Sequence, residues 1–260
     1  MQLGLDNKVA LVTGSTAGIG FAIARQLARE GATVYVSGRT QARVDEAISR
    51  IGGSNVKGIV GDLSTRAGCD GLIARIPRLD VLVNNFATFD VKPVLEISDD
   101  DWMHAFETNV LSGIRLARAY MPGMVANKWG RIIFISSDAA LQIPAEMVSY
   151  GVTKTAQIAV ARGLAESFPA SGVTVNSVLP GPTDSESFNA FLDSLAKQAG
   201  ISKQEVVDGF FAKARPSSLL KRVASTDEVA SMVTYLCSEA ASATTGSAIR
   251  VDGGMVQSIA

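Results

Sequence analysis

Tyr150 and Lys154 stand four residues apart in a stretch, Ser149 to Phe168, whose periodicity predicts a helix. Side chains at that spacing project from one helical face and can address one site. A free phenol, with a pKa of about 10, holds its proton too tightly to cycle as acid and base near neutrality, but a neighbouring cation favours the phenolate. Lys154 can be that cation. The spacing alone is common, however, and such a pair can equally be surface residues laying their stems along a helix.

A second chemistry-bearing segment lies near the start of the chain. Thr13-Gly14-Ser15-Thr16-Ala17-Gly18-Ile19-Gly20 follows an apolar run directly and opens a helical pattern. Without Cβ atoms the chain can turn tightly, and its exposed N–H groups and the helix dipole favour a diphosphate. The order strand, glycine loop, helix is the one that dinucleotide binding needs.

The end of the next strand should meet the adenosine ribose, where an acidic side chain selects NAD. Here the sequence is Ser37-Gly38-Arg39-Thr40. No carboxylate opposes a 2′-phosphate, and Arg39 can pair with one bidentately, helped by the Ser15, Ser37 or Thr40 hydroxyls. NADP(H) is the expected cofactor; a solvated Arg39 opening a helix is the alternative.

The elements that must position these groups are legible as an alternation. Lys8 to Thr13, Thr33 to Ser37, Val56 to Val60, Val81 to Val83, Arg131 to Ser136, Val173 to Leu179 and Ala248 to Val251 are short apolar runs. Helical periodicity separates them: Ile19 to Glu30, one long helix over Asp99 to Asn127 opened by acidic residues, and Ser149 to Phe168. The pattern predicts an α/β fold, a doubly wound sheet of about seven parallel strands flanked by helices. With no repeat or linker in 260 residues, one domain over 1–260 is expected, with 181–222 as its least regular segment.

Lys and Arg total 24 against 25 Asp and Glu, and 47% of residues are apolar, so a large core can form without a global field favouring nucleic acid. No run reaches the roughly 20 apolar residues of a membrane span, and Met1 to Lys8 lacks a signal-peptide plan; no membrane partner and a cytoplasmic location are expected. Cys69 and Cys237 have no metal-ligand spacing and read as reduced structural thiols, so no metal is expected. His104 reads as a helix-surface residue.

Together these residues resemble the short-chain dehydrogenase/reductase family across almost the whole chain. The TGxxxGIG loop, Asn84-Asn85-Phe86-Ala87, Asn109, Ser137, Tyr150-Gly151-Val152-Thr153-Lys154, Pro180-Gly181 and Val251-Asp252-Gly253-Gly254 occur in the family's order. Ser137, thirteen residues before Tyr150, matches the family spacing, which Ser136 does not. One departure is Phe86-Ala87 where the family usually has Ala-Gly.

The resemblance implies a single-domain Rossmann fold and an NADP(H)-dependent oxidoreductase that interconverts a carbonyl and an alcohol. Its catalytic set would be Asn109, Ser137, Tyr150 and Lys154. Tyr150 would protonate the developing alkoxide, Ser137 would hydrogen-bond that oxygen, Lys154 would also bond the nicotinamide ribose, and Asn109 would hold a water linking Lys154 to solvent. Cofactor contacts would come from Gly14, Ser15, Thr16, Gly18, Ile19, Gly20, Arg39, Asp62, Leu63, Asn85, Tyr150, Lys154, Pro180, Gly181 and Thr183. Asp62-Leu63 would face the adenine, although a turn-forming Asp explains Asp62 locally as well. The backbone of Asn84 would line the ribose, and Thr183 would contact the carboxamide or the diphosphate.

Beyond Pro182, Phe188, Phe191, Leu192 and Leu195 recur at helical spacing and Phe210-Phe211 follow, which suits either a lid over an apolar cleft or an ordinary packing face. Asp138, Leu141, Ile143, Pro144 and Met147 should line the same cleft. The substrate is expected to be a small, partly apolar carbonyl or alcohol, and the assembly a homotetramer or dimer. The competing readings are an NAD-dependent alcohol dehydrogenase and a non-catalytic dinucleotide-sensing module; the joint presence of Ser137, Tyr150 and Lys154 argues against the sensor.

Overall fold

In the computed structural model, which describes residues 2–259, seven strands form one parallel sheet. They are β1 (Val9–Val12), β2 (Thr33–Gly38), β3 (Val56–Val60), β4 (Val81–Asn84), β5 (Gly130–Ile135), β6 (Val173–Pro180) and β7 (Ala248–Val251). The order is β3-β2-β1-β4-β5-β6-β7. The winding direction reverses between β1 and β4, which leaves a crevice at the strand C-termini where ligands of such sheets bind. Val12, the last residue of β1, pairs with Val36 on one side and Val83 on the other, so β2 runs two residues and β4 one residue beyond the end of β1.

The central strands are buried on both faces, which is why β1 and β4 read as unbroken apolar runs rather than alternating ones. On one face, α1 (Gly18–Arg29), α2 (Gln41–Ile51) and α9 (Thr226–Leu236) pack through Phe21, Leu27, Ala47, Val229 and Val233. On the other, α3 (Arg66–Arg75), α5 (Ser112–Ala126) and α6 (Val148–Ser167) bury Leu72, Leu116, Tyr120, Met124 and Ala161. The expected doubly wound architecture is present, and the strand bounds differ from expectation by a residue or so.

The expected single helix over Asp99 to Asn127 is divided. It runs as α4 (Asp99–Phe106), a π turn (Glu107–Leu111) and α5. Ser98 and Asp101 form a reciprocal capping box that fixes the start of α4. The extra residue of the π turn belongs to the stretch where the buried Asn109 side chain leaves the helix to bond the Thr88 backbone. The segment 181–222 also proves more regular than its sequence suggests, with α7 (Glu186–Ala199), α8 (Lys203–Gly209) and a second π turn (Phe210–Ala214). Side chains of Ser185 and Ser202 cap the two helices.

His104 is exposed on α4, and both cysteines are free and buried. No helix among the described residues is long and apolar enough to cross a membrane.

Candidate active site

A cleft of about 430 Å³ opens at the strand C-termini, beside the β1/β4 reversal. Its floor and walls include Gly14, Thr16, Gly18, Ile19 and Gly20 from the first loop, Ser137, Tyr150 and Lys154, and Pro180, Gly181 and Thr183 at and beyond the end of β6.

The glycine loop needs its glycines. Gly14 and Gly18 have φ of +60° and +57°, the left-handed region that side chains disfavour. A Cβ on Gly20 would lie 2.5 Å from the Asn85 Nδ2 and 2.6 Å from the Gly14 carbonyl oxygen. Asn85 therefore acts as a brace: its Nδ2 donates to the carbonyls of Thr13 at 2.9 Å and Gly14 at 3.1 Å, while its N–H donates to the Thr13 hydroxyl at 2.8 Å. The first turn of α1 carries no acidic residue and has no side-chain cap from Ala17. Its N–H groups and dipole remain open to an anion in the cleft.

Several expected contacts are placed differently. Ser15 is fully buried; its hydroxyl donates to the Val12 carbonyl at 2.6 Å and accepts from the Ser37 N–H at 3.0 Å, and the Ser37 hydroxyl accepts from the Gly14 N–H at 3.1 Å. Both hydroxyls tie the loop to β2. Arg39 and Thr40 are exposed at the end of β2, and Arg39 makes no hydrogen bond or ion pair among the described residues. Its charge acts through space on Asp62. The Asp62 carboxylate accepts from the Ser64 hydroxyl at 2.7 Å and N–H at 3.1 Å, bonds that hold its pKa below the usual range. That is a turn-building role, and the Leu63 side chain goes into the core.

Phe86-Ala87 fits without backbone strain, since neither residue has positive φ. Phe86 leans on the core beside α5, its Cα so near the loop that a Cβ on Gly14 would approach it to 3.1 Å. Asn84 is buried at the end of β4, and its side-chain amide has no hydrogen-bond partner among the described residues.

At the reacting end, Ser137 Oγ donates to Asp138 Oδ1 at 3.0 Å and accepts from the Ala139 N–H at 3.1 Å. Lys154 is buried with its Nζ 5.4 Å from the Tyr150 ring centre, donating to the Ile135 carbonyl at 2.8 Å and the Gln157 Oε1 at 3.2 Å. Burial pulls the lysine down to about 7. It pushes the Tyr150 phenol up to about 12, opposed by the nearby Ser137 hydroxyl. Desolvation thus disfavours both charged forms at once, the phenolate and the ammonium.

Asn109 does not address Lys154 with its side chain. That amide bonds the Thr88 N–H at 2.8 Å, the Thr88 carbonyl at 2.9 Å and the Thr153 hydroxyl at 3.0 Å, while its backbone carbonyl accepts from Gln157 Nε2 at 2.6 Å. Gln157 went unnoticed in the sequence, although its place one turn beyond Lys154 could have drawn attention. Thr183, buried, donates to the Gly181 carbonyl at 2.8 Å.

The cleft wall divides the expected apolar stripe. Phe188, Phe191 and Phe210 line it, whereas Leu192 and Phe211 are buried as packing residues. Phe89, unforeseen, continues the aromatic arc, with its ring centre 6.0 Å from Tyr150 and 6.4 Å from Phe191. Asp138, Pro144 and Met147 line the cleft as expected; Leu141 and Ile143 are exposed instead. Two further charged groups also come from distant sequence: Arg215, 3.9 Å from Asp138 Oδ2, and Arg43, 3.0 Å from Glu186 across the cleft mouth.

Residues 14–256 match the family model described as enoyl-(acyl carrier protein) reductase. The chain is 34% identical to dehydrogenase/reductase SDR family member 4 of Bos taurus, over 96% of this chain and 88% of that one. The chain belongs to the short-chain dehydrogenase/reductase family. It is also 41% identical to an uncharacterized oxidoreductase, YvaG, of Bacillus subtilis (strain 168), over the full length of both. Among solved structures it is similar to L-sorbose reductase from Gluconobacter frateurii complexed with NADPH and L-sorbose, with 33% identity, a TM-score of 0.92 and complete coverage of both chains. As a short-chain dehydrogenase/reductase, the chain is an oxidoreductase with the family's Rossmann-type sheet.

Proposed function

We propose that this protein is an NADP(H)-dependent carbonyl reductase, acting reversibly on a small, partly apolar ketone or its alcohol, with Tyr150 as the acid/base. The observation that carries the reading is the convergence of Ser137, Tyr150 and Lys154 on a cleft whose other end is the uncapped start of α1. The residues suit the cofactor. Gly14 to Gly20 offer backbone N–H groups to a diphosphate, and the unpaired, exposed Arg39 offers a guanidinium to a 2′-phosphate. The NADPH in the sorbose reductase complex supports the same choice.

Bound NADPH would supply a hydride to the carbonyl carbon. Tyr150 would give its proton to the carbonyl oxygen as negative charge develops there, so that no free alkoxide forms. Ser137 would turn its hydroxyl from Asp138 to that oxygen, adding a second donor. Lys154, once charged, would stabilise the phenolate that remains. Pro180, Gly181 and Thr183 would flank the nicotinamide end, and the turn at Asp62-Leu63 the adenine end.

The aromatic arc suits an apolar flank on the substrate, and the Asp138–Arg215 pair a polar one. Residues 181–222 would serve as the lid within one catalytic domain. Exposed Met103, Phe106 and Val152 on α4, the π-turn boundary and α6 support a homo-oligomer, dimer or tetramer, formed through those helices. Two free buried thiols support a cytoplasmic site of action.

A screen of ketones, sugars, quinones and oxoacyl thioesters, following NADPH oxidation, tests the proposal. Turnover is expected with at least one class and a loss of about 1,000-fold or more in Tyr150→Phe, with NADPH binding retained. Unchanged turnover in that variant would remove Tyr150 from the reaction; no turnover with any class would favour a sensing module.

A further inference from the structure

Among the described residues Gln157 is the one side chain that bonds the Lys154 ammonium, and the reaction just described leaves it unused. It is 1% exposed, three residues beyond Lys154 on α6, and its amide is engaged at both ends. Its Oε1 accepts from Lys154 Nζ at 3.2 Å, and its Nε2 donates to the Asn109 carbonyl at 2.6 Å, in the π turn that splits α4 from α5.

We propose that Gln157 is a positioning residue for the reaction: its amide ties the Lys154 side chain to the Asn109 backbone and holds the ammonium where its remaining donor faces the cleft. The inference rests on the proposed roles of Tyr150 and Lys154. A lysine ammonium has three N–H donors. The Ile135 carbonyl and Gln157 occupy two, leaving one for the cleft, where phenol and cofactor would be. Without Gln157 the buried ammonium would have one protein acceptor, and its charged form would be harder to keep.

The amide also differs from a water in the same position. A water accepts a proton on one side and releases another on the opposite side. An amide that accepts at oxygen and donates at nitrogen cannot do so without passing through its imidic tautomer. A proton therefore does not pass through the Gln157 amide itself, whose part is to hold the ammonium in place.

No other charged group competes for this position. Of the titratable groups on the elements packed around α6, Asp138 is engaged by Ser137, Ala139 and Arg215, Glu107 by Arg115, and Asp101 by Lys92 and Ser98. Asp99, Asp100 and His104 of α4 and Glu146 in the turn before α6 make no hydrogen bond to Lys154 Nζ. Arg131 of β5 is held by the Ser238 and Gly130 carbonyls. On α6 itself Tyr150 shares the site, while Arg162 and Glu166 pair with each other.

Two variants separate the amide from the space it fills. Gln157→Met keeps the length and loses both hydrogen bonds; Gln157→Glu keeps an acceptor for Lys154. The primary readout is the Lys154 titration in cofactor-free protein, followed by NMR of lysine labelled with carbon-13 at Cε and assigned with Lys154→Met. In Gln157→Met the midpoint should fall by about one pH unit, and in Gln157→Glu it should rise above the parent. With an active substrate, the acidic limb of alcohol oxidation should move up by a similar amount in Gln157→Met. kcat near neutrality should drop about tenfold while KM changes less than about twofold. In Gln157→Glu the limb should return to the parental position or below.

An unmoved midpoint in Gln157→Met, or a Gln157→Glu variant indistinguishable from it, would overturn the proposal and leave Gln157 a packing residue. Because the NMR titration needs neither cofactor nor substrate, it decides the matter even if the proposed activity fails.

Discussion

At the scale of single residues, the site is governed by which groups are buried with a partner and which are exposed without one. Arg39 is of the second kind. If it pairs with a 2′-phosphate, Arg39→Ala should weaken NADPH binding by about tenfold or more and leave NADH binding within about twofold, as measured by calorimetric titration. Equal losses for both would defeat the NADP choice. Lys154 is of the first kind, and its burial has a consequence for stability. Its pKa is about 7 in the fold against an ordinary 10.5, so between those values the unfolded chain holds a proton that the folded one lacks. Stability from this group is complete above the upper value, decreases as pH falls through the window, and is gone below the lower one. Urea unfolding of the parent and Lys154→Met should diverge across that window. The parent should gain relative to the variant by up to about 1.4 kcal/mol per pH unit as pH rises.

At the scale of elements, close approaches of backbone decide what a position can hold. A Cβ on Gly68, in the first turn of α3, would lie 1.8 Å from the Asp62 carbonyl oxygen. Gly68→Ala must therefore displace the Asp62–Ser64 turn or tilt α3, at a cost of about 1–3 kcal/mol. If the turn faces adenine, dinucleotide affinity should fall with it. Thermal unfolding and cofactor titration check the two effects separately; a variant as stable as the parent would mean that the helix shifts freely. The same scale shows why one long helix was expected where two stand. Asp99 to Asn127 is helical in its periodicity throughout, and the interruption comes from Asn109 bonding to Thr88, a residue on a loop remote in sequence.

At the scale of the whole molecule, the ion pairs that span distant segments differ greatly in weight. Arg43–Glu186 bridges α2 and α7 across the cleft mouth, but both side chains are more than half exposed, so water and salt screen the pair. Arg131 is the opposite case. It is 2% exposed and joins the start of β5 to the rest of the fold. It donates to the carbonyls of Ser238 at 3.0 Å, Gly130 at 2.8 Å and Gly172 at 3.3 Å, and its guanidinium lies 4.6 Å from the Trp129 ring centre. Arg131→Met would strand those carbonyls at the end of the molecule away from the cleft. The variant should lose about 2–4 kcal/mol in chemical denaturation while keeping its pH–rate profile. A loss below about 0.5 kcal/mol would show that water replaces the guanidinium.

What the sequence by itself determined is local or periodic. Alternating strand and helix patterns specify the parallel sheet, the glycine loop specifies an anion-binding turn, and four-residue spacing puts Tyr150 and Lys154 on one face, because each depends on neighbours within a turn or a strand. Only the tertiary structure decided that Gln157 reaches the backbone of Asn109, that Phe89 and Arg215 join the cleft, and that the Ser15 hydroxyl bonds the backbone of Ser37 and the Ser37 hydroxyl that of Gly14. Those contacts link residues 20 to 80 or more positions apart, and their existence depends on how helices and loops pack over the strand ends. The Tyr150 and Lys154 charges follow the same rule: spacing predicts their proximity, but burial, a property of the packed whole, sets the direction in which each is displaced.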